Sequence, residues 1–273
     1  MAALGAPGAV MIKKSKFRHE LKYVIRLEDA HRFYEDISPF CDLDEHAGAT
    51  KYYEIASTYY DTEDLRFYLD REESVGYRRK VRLRSYNSNG QSTALFIEIK
   101  ERHKSYVSKK RANLKENDLL ARYQRHDRIP LDEVIAVLED GEVARELRYL
   151  HKRLELYPVV IIRYLRRAVI PHYERDMRIT LDTRITSGGQ SLPQYSPAEE
   201  KYLIDGGHGV LEIKTNQTIP LWLSSALTRY GVPQTRFSKY CLGLDKAFGK
   251  GRWWINCRES TPLEEFRKAA AVA

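Results

Sequence analysis

Five stretches of the chain carry polar or charged side chains at every second position, and most of those charges are positive. They are Arg18, Glu20, Lys22 and Arg26; Arg78, Lys80, Arg82 and Arg84; Glu98, Lys100 and Arg102; Arg178, Thr180, Asp182 and Arg184; and Glu212 with Lys214. The unit Glu-x-Lys occurs three times among them, at Glu20/Lys22, Glu98/Lys100 and Glu212/Lys214. Rows of Arg and Lys are suited to polyanions, because the forked guanidinium matches phosphate oxygens and the ammonium supplies point charge. A sparse carboxylate among them suits Mg²⁺ or Mn²⁺, which one or two carboxylates hold when substrate phosphates complete the shell.

Period two is the period of a β-strand, where successive side chains point to opposite faces. Behind the charges lie apolar partners: Phe17, Leu21, Tyr23 and Ile25; Tyr77, Val81 and Leu83; Leu95, Ile97 and Ile99; Ile179, Leu181 and Ile185; Leu211 and Ile213. The pattern predicts strands over 16–26, 52–60, 76–86, 94–102, 159–170, 177–186 and 210–215. Asn87-Ser88-Asn89-Gly90 joins 76–86 to 94–102 as a hairpin. Helices are expected over 27–38, 62–73, parts of 114–156 with a break near Gly141, 219–230 and 238–248, and a loop over 187–208. A single wet sheet face explains any one charged row. Five rows together, each with an apolar back that needs covering, predict instead an α+β fold. In it an antiparallel sheet closes into a tunnel, charges inward and helices packed outside. Desolvating unpartnered cations costs several kcal/mol each, so such a tunnel stays wet or holds a polyanion.

The chain has 273 residues and a formal net charge of +8, from 46 Lys+Arg against 38 Asp+Glu. The charge points to an anionic partner without choosing one. No apolar run, Val159 to Ile162 among them, comes near the length of a membrane span. The apolar N-terminus precedes its lysines, Lys13 and Lys14, and so fails as a secretory signal. Cys41, Cys241 and Cys257 are widely spaced and form neither a disulfide framework nor a zinc motif. A cytoplasmic location is expected. No Gly-rich phosphate loop, dinucleotide fingerprint or HExxH is present, and the eight histidines show no ligand spacing.

Taken in order, these residues resemble a known family. Arg18-x-Glu20-x-Lys22-Tyr23, Ser57-x-Tyr59-Tyr60-Asp61, Val81-Arg82-Leu83-Arg84 and Glu98-x-Lys100 come first. Tyr164-x-Arg166-x-Ala168, Arg178-x-Thr180-x-Asp182, Leu211-Glu212-x-Lys214 and Phe237-Ser238-Lys239-Tyr240 follow. The set is similar to the VTC domain, the polyphosphate polymerase domain of the vacuolar transporter chaperone family, within the triphosphate tunnel superfamily. The resemblance covers about residues 15–248 and leaves 1–14 and 249–273 as tails. It implies transfer of the terminal phosphate of ATP onto a polyphosphate chain, with release of ADP and use of Mn²⁺ or Mg²⁺. It implies that Lys22, Arg82, Arg84, Lys100, Arg166 and Arg178 are tunnel cations, with Lys109 or its neighbour Lys110 as another. Glu212 then holds the metal, Ser238 and Lys239 open the last helix, and Lys239 meets substrate phosphate. Ser238 also has the residue type of a helix cap. Arg78 and Lys80 are expected at the tunnel mouth or on the surface.

Two departures from the superfamily are visible. Arg18 stands where many tunnel enzymes have the first glutamate of Glu-x-Glu-x-Lys, which disfavours the plain triphosphatase and cyclase branches. The chain also lacks the regulatory module and membrane segment that accompany this domain in vacuolar complexes, so export would need a separate membrane protein as partner. Three rival readings remain at this level: a triphosphatase or polyphosphatase on the same site, a non-catalytic polyphosphate-binding subunit, and nucleic-acid binding through the tail with Trp253 and Trp254. The last leaves the alternating rows unexplained, so no nucleic acid is expected.

Overall fold

A computed structural model of the protein describes residues 19–44, 51–88, 91–104, 106–114, 117–124, 129–189 and 200–248. Arg18, the Asn89-Gly90 turn and both tails fall outside the described residues. In chain order the elements are β1 (His19–Arg26), α1 (Leu27–Ile37), a short 3₁₀ turn (Ser38–Phe40), β2 (Cys41–Leu43), β3 (Tyr53–Asp61), α2 (Arg66–Glu72), β4 (Tyr77–Ser88) and β5 (Gln91–His103). There follow β6 (Tyr106–Leu114), α3 (Asn117–Gln124), α4 (Leu131–Ala136), α5 (Glu142–Leu154), β7 (Tyr157–Pro171), β8 (Arg178–Gly189), β9 (Lys201–Tyr202), β10 (His208–Thr215), α6 (Leu221–Arg229) and α7 (Lys239–Phe248).

The ten strands make one antiparallel sheet, with the order β1-β10-β8-β7-β3-β4-β5-β6 and with β2 and β9 added on β7 and β8. The first strand pairs with the last, Lys22 opposite Glu212. Among the described residues no backbone ladder joins β1 to β6. The sheet curls instead until side chains meet across the bore, where Lys100 Nζ of β5 lies 3.7 Å from Glu20 Oε2 of β1.

Three apolar clusters impose this curl. Outside β4 and β5, Val81, Leu83, Leu95, Ile97 and Ile99 are fully buried against Val134, Leu147 and Leu150 of α4 and α5. Outside β1, β8 and β10, Ile25, Ile179, Leu181, Leu211 and Ile213 pack on Phe33, Ile37, Leu223 and Leu227 of α1 and α6. Each such side chain contributes about 1.5–3 kcal/mol when buried. A one-residue slip of register would exchange these faces, so the apolar backs fix which charges point inward.

The third cluster lies inside. Along the inner face the charged rows give way to Ile55, Val160, Ile162, Ile185 and Val210, and α7 covers them with Tyr240, Cys241 and Leu244. Gly243 lets this helix sit on β7, because a Cβ there would fall 2.5 Å from Ile162 Cδ1. One part of the bore is thus filled by a helix, where the sequence predicts helices only outside.

Other expectations shift in detail. β2, β6 and β9 are strands that the alternation did not indicate, and β6 is the outermost strand of the cationic wall. Arg184 does not share the face of Arg178, Thr180 and Asp182. It is exposed, with φ 48, beside a register shift in the β7–β8 pairing that turns Ile185 inward. Among the described residues no helix is long and apolar enough to cross a membrane.

Candidate active site: a cation-lined cavity

The inner face of the curled sheet encloses a cavity of about 590 Å³, which the 234–240 segment also lines. Among the described residues, twelve lysines and arginines line it against two carboxylates, Glu20 and Glu212, and no histidine. The volume is that of a small-molecule site, but the lining is far more charged than most.

Two buried carboxylates on the inner face organise part of this charge. Asp182 is 0 % exposed and receives Arg166 at two atoms, Nε to Oδ1 at 2.6 Å and NH2 to Oδ2 at 2.8 Å. Lys239, at the start of α7, donates to the same Oδ2 at 2.6 Å. Burial opposes the charge on Asp182, but Arg166 and Lys239 bring its carboxyl down to about 2. Both cations gain in return, and their proton affinities rise despite burial. Glu98, 1 % exposed, does the same on the opposite wall. It accepts from Arg82 Nε at 2.7 Å, has Lys109 Nζ at 2.5 Å, and lies 3.9 Å from Arg84. These three hold Glu98 well below the usual carboxylate range, against the pull of burial.

Between the two corners the cations are crowded. Lys80 of β4 stands opposite Lys100 of β5, which stands opposite Lys109 of β6. Like charges directly opposed destabilise a sheet. All three ammonium groups are pushed down in proton affinity, chiefly by burial, and Lys109 reaches about 7 despite its contact with Glu98. Lys80 lies inside the cavity, not on the surface, with Nζ 3.2 Å from Ser238 Oγ and over the ring of Tyr240.

The third corner is acidic. Glu20 and Glu212 lie within hydrogen-bonding reach of each other, and Lys214 is 3.6 Å from the first and 2.9 Å from the second. Glu212 is buried, yet Lys214 and Lys22 keep it well below the ordinary carboxylate range. Its Oε1 accepts no hydrogen bond, although Lys214 Nζ lies 2.9 Å away. An ionised, buried oxygen without a hydrogen bond, beside a second carboxylate, fits a divalent cation. Among the described residues no group of three acidic, His or Cys ligands exists, so substrate oxygens would have to complete such a shell.

Tyrosines fill the gaps. Tyr59 stacks on Tyr240 at 4.9 Å and accepts from Arg82 at 3.1 Å. Burial raises its hydroxyl, but Arg82, Arg84 and Lys80 overcome that and bring it down to about 8. Tyr240 donates to Asp61, which also accepts from the backbone of Thr62, Phe67 and Tyr68 and so caps α2. Ser238 caps α7, accepting from Cys241 N at 3.4 Å, and its hydroxyl also faces the cavity.

Of the residues expected from sequence, Lys22, Arg82, Arg84, Lys100, Arg166, Glu212, Ser238 and Lys239 line one cavity. Lys109 and Arg178 do not. Lys109 is drawn behind Glu98, and Arg178 is held by Asp44 at 2.9 Å and Tyr53 at 3.0 Å. Lys110 points outward to Glu142 and Glu146 of α5. Sequence reasoning passed over Glu20, Asp182 and Glu98 as site residues. The available signal was a lone acid of inward parity on an otherwise cationic row.

A family model, the VTC domain, matches residues 17–248. No curated protein matches the sequence. Among solved structures, a putative adenylate cyclase from Bacillus halodurans shares 14 % identity with a TM-score of 0.50, over 82 % of this chain and 96 % of its own. A putative adenylyl cyclase from Hippeastrum with a dominant triphosphatase activity shares 13 % identity with a TM-score of 0.49, over 84 % and 96 %. At 14 % identity the first of these likenesses is one of fold.

Proposed function

The chain belongs to the VTC domain family, and from that premise we propose that it is an ATP-dependent polyphosphate polymerase using Mn²⁺ or Mg²⁺. The observation that carries this reading is the lining of the cavity among the described residues: twelve cations, two adjacent carboxylates and no histidine. Transfer to a phosphate acceptor needs positioning and charge stabilisation and no strong base, since the acceptor oxygen is already ionised.

In this reading Arg166 and Lys239, fixed by Asp182, and Arg82 and Arg84, fixed by Glu98, grip phosphate oxygens from opposite walls. Because these two carboxylates are buried on the inner face and already bonded, these cations are oriented before substrate arrives. Lys22, Lys80 and Lys100 supply the charge between them. Glu212, with Glu20, would hold the divalent ion, which when bound neutralises charge on the transferring phosphates. ATP and polyphosphate are then the ligands, and nucleic acid is not. The work would be cytoplasmic, and a membrane protein is the partner to look for in any export.

The test is incubation of the protein with ATP and Mn²⁺, with products resolved by chain length, beside Glu212→Ala and Lys239→Ala. Wild type should make chains, and each variant should lose at least about a hundredfold in rate. Free phosphate without chains would reassign the site to a hydrolase. Tight polyphosphate binding without turnover would make the protein a binding subunit.

A further inference from the structure

Arg82, Arg84, Arg166 and Lys239 have carboxylates beside them, but the last inward-facing rung of the β4–β5 ladder does not. Arg78 stands directly opposite Arg102, and both line the cavity where it meets solvent, together with Arg71 of α2. Arg78 Nε is buried and has no hydrogen-bond partner. Arg102 donates its Nε to Lys104 O at 2.8 Å, and Arg71 pairs with Glu72 at 2.7 Å. The nearest carboxylate of β5, Glu101, is on the other face, taken by Arg79. Two arginines opposed in a ladder, with a third beside them, repel one another. Burial, and then Arg102 and Arg71, lower the proton affinity of Arg78. Among the described residues no carboxylate pairs with Arg78 or Arg102; an anion would.

We propose that Arg71, Arg78 and Arg102 form a second anion subsite, which takes the outer phosphates of an inorganic polyphosphate chain whose inner end lies in the cavity. The rung of Arg78 is four residues along β4 from that of Arg82, about 13 Å. A triphosphate held at the inner rungs does not span that distance, and a longer chain does. The subsite therefore distinguishes long chains from short ones and keeps a long chain attached between additions. This inference rests on the inner cavity being a phosphate-chain site.

Binding of tripolyphosphate and of long-chain inorganic polyphosphate, measured calorimetrically without nucleotide, tests it. The double variant R78Q/R102Q should weaken long-chain binding at least about tenfold more than tripolyphosphate binding. Retained tripolyphosphate affinity would show that the variant is folded. Equal losses for both ligands, or no loss for either, would overturn the subsite while leaving the inner site standing. A wild-type protein that binds neither ligand would overturn the inner site, and the subsite with it.

Discussion

The Asp182 corner and the lysine row across β4, β5 and β6 lie on the same inner face and treat charge in opposite ways. At Asp182 two cations share a fully buried carboxylate at hydrogen-bonding distances, and each is more firmly protonated for it. In the row, Lys80, Lys100 and Lys109 stand side by side, and each is pushed toward losing its proton. Within the free protein the first region is satisfied and the second is strained. The first defines where a phosphate sits; the second holds repulsion that a bound polyanion relieves, so its free energy appears on binding.

The largest expected effect would come from breaking the satisfied corner. Asp182→Asn takes the nearest counter-charge from buried Arg166 and Lys239, leaving only Glu212 at 3.9 Å from Arg166, and should destabilise the fold by about 3–5 kcal/mol, measured by denaturant unfolding. A smaller loss, comparable to that of a surface pair, would mean that the corner is wetter than its geometry implies. Lys80→Met should separate the two regions more sharply. It removes one member of the row, so the free protein should keep its stability or gain up to about 1 kcal/mol, while polyphosphate affinity falls about tenfold. A variant that lost stability and kept affinity would reverse the assignment.

The smallest and most diagnostic effect is that of pH. Lys109 titrates near 7 in the folded protein and near about 10.4 when unfolded. Between these values the unfolded chain binds more protons, so the contribution of Lys109 to stability rises with pH through that window. Anion binding favours the charged form, so polyphosphate affinity should fall over the same range and binding should take up protons. Calorimetry in buffers of different ionisation enthalpy measures that uptake. Affinity that does not change from about pH 7 to about pH 9 would show that the row is fully charged before ligand arrives.

Much of this was legible in the chain. The inward rows of β1, β4, β5 and β10 follow from strict alternation, because strong apolar backs such as Val81, Leu83, Ile97 and Ile99 leave one choice of face. The wall strand β6 was not legible. Tyr106–Leu114 runs Val107, Ser108, Lys109, Lys110, Arg111, with no apolar row until Ala112 and Leu114, since its outward Lys110 pairs with α5 instead of entering a core. Nor does local sequence predict a bulge that turns Arg184 outward and Ile185 inward, because this depends on how β8 meets β7. The roles of Glu98 and Asp182 are relations across strands, and alternation along one strand does not contain them.

The cavity is also a product of both ends of the described chain. Lys22 and Glu20 come from the first strand, Glu212 and Lys214 from the strand paired with it, and Lys239 from the final helix. Contacts between such distant segments form slowly, because loop closure must precede the gain from pairing. A fragment that stops short of α7 lacks Lys239, the second cation on Asp182, and so does not hold the complete site. Recovery of activity after dilution from denaturant is therefore expected to follow the docking of α7 against Ile162 and Val160.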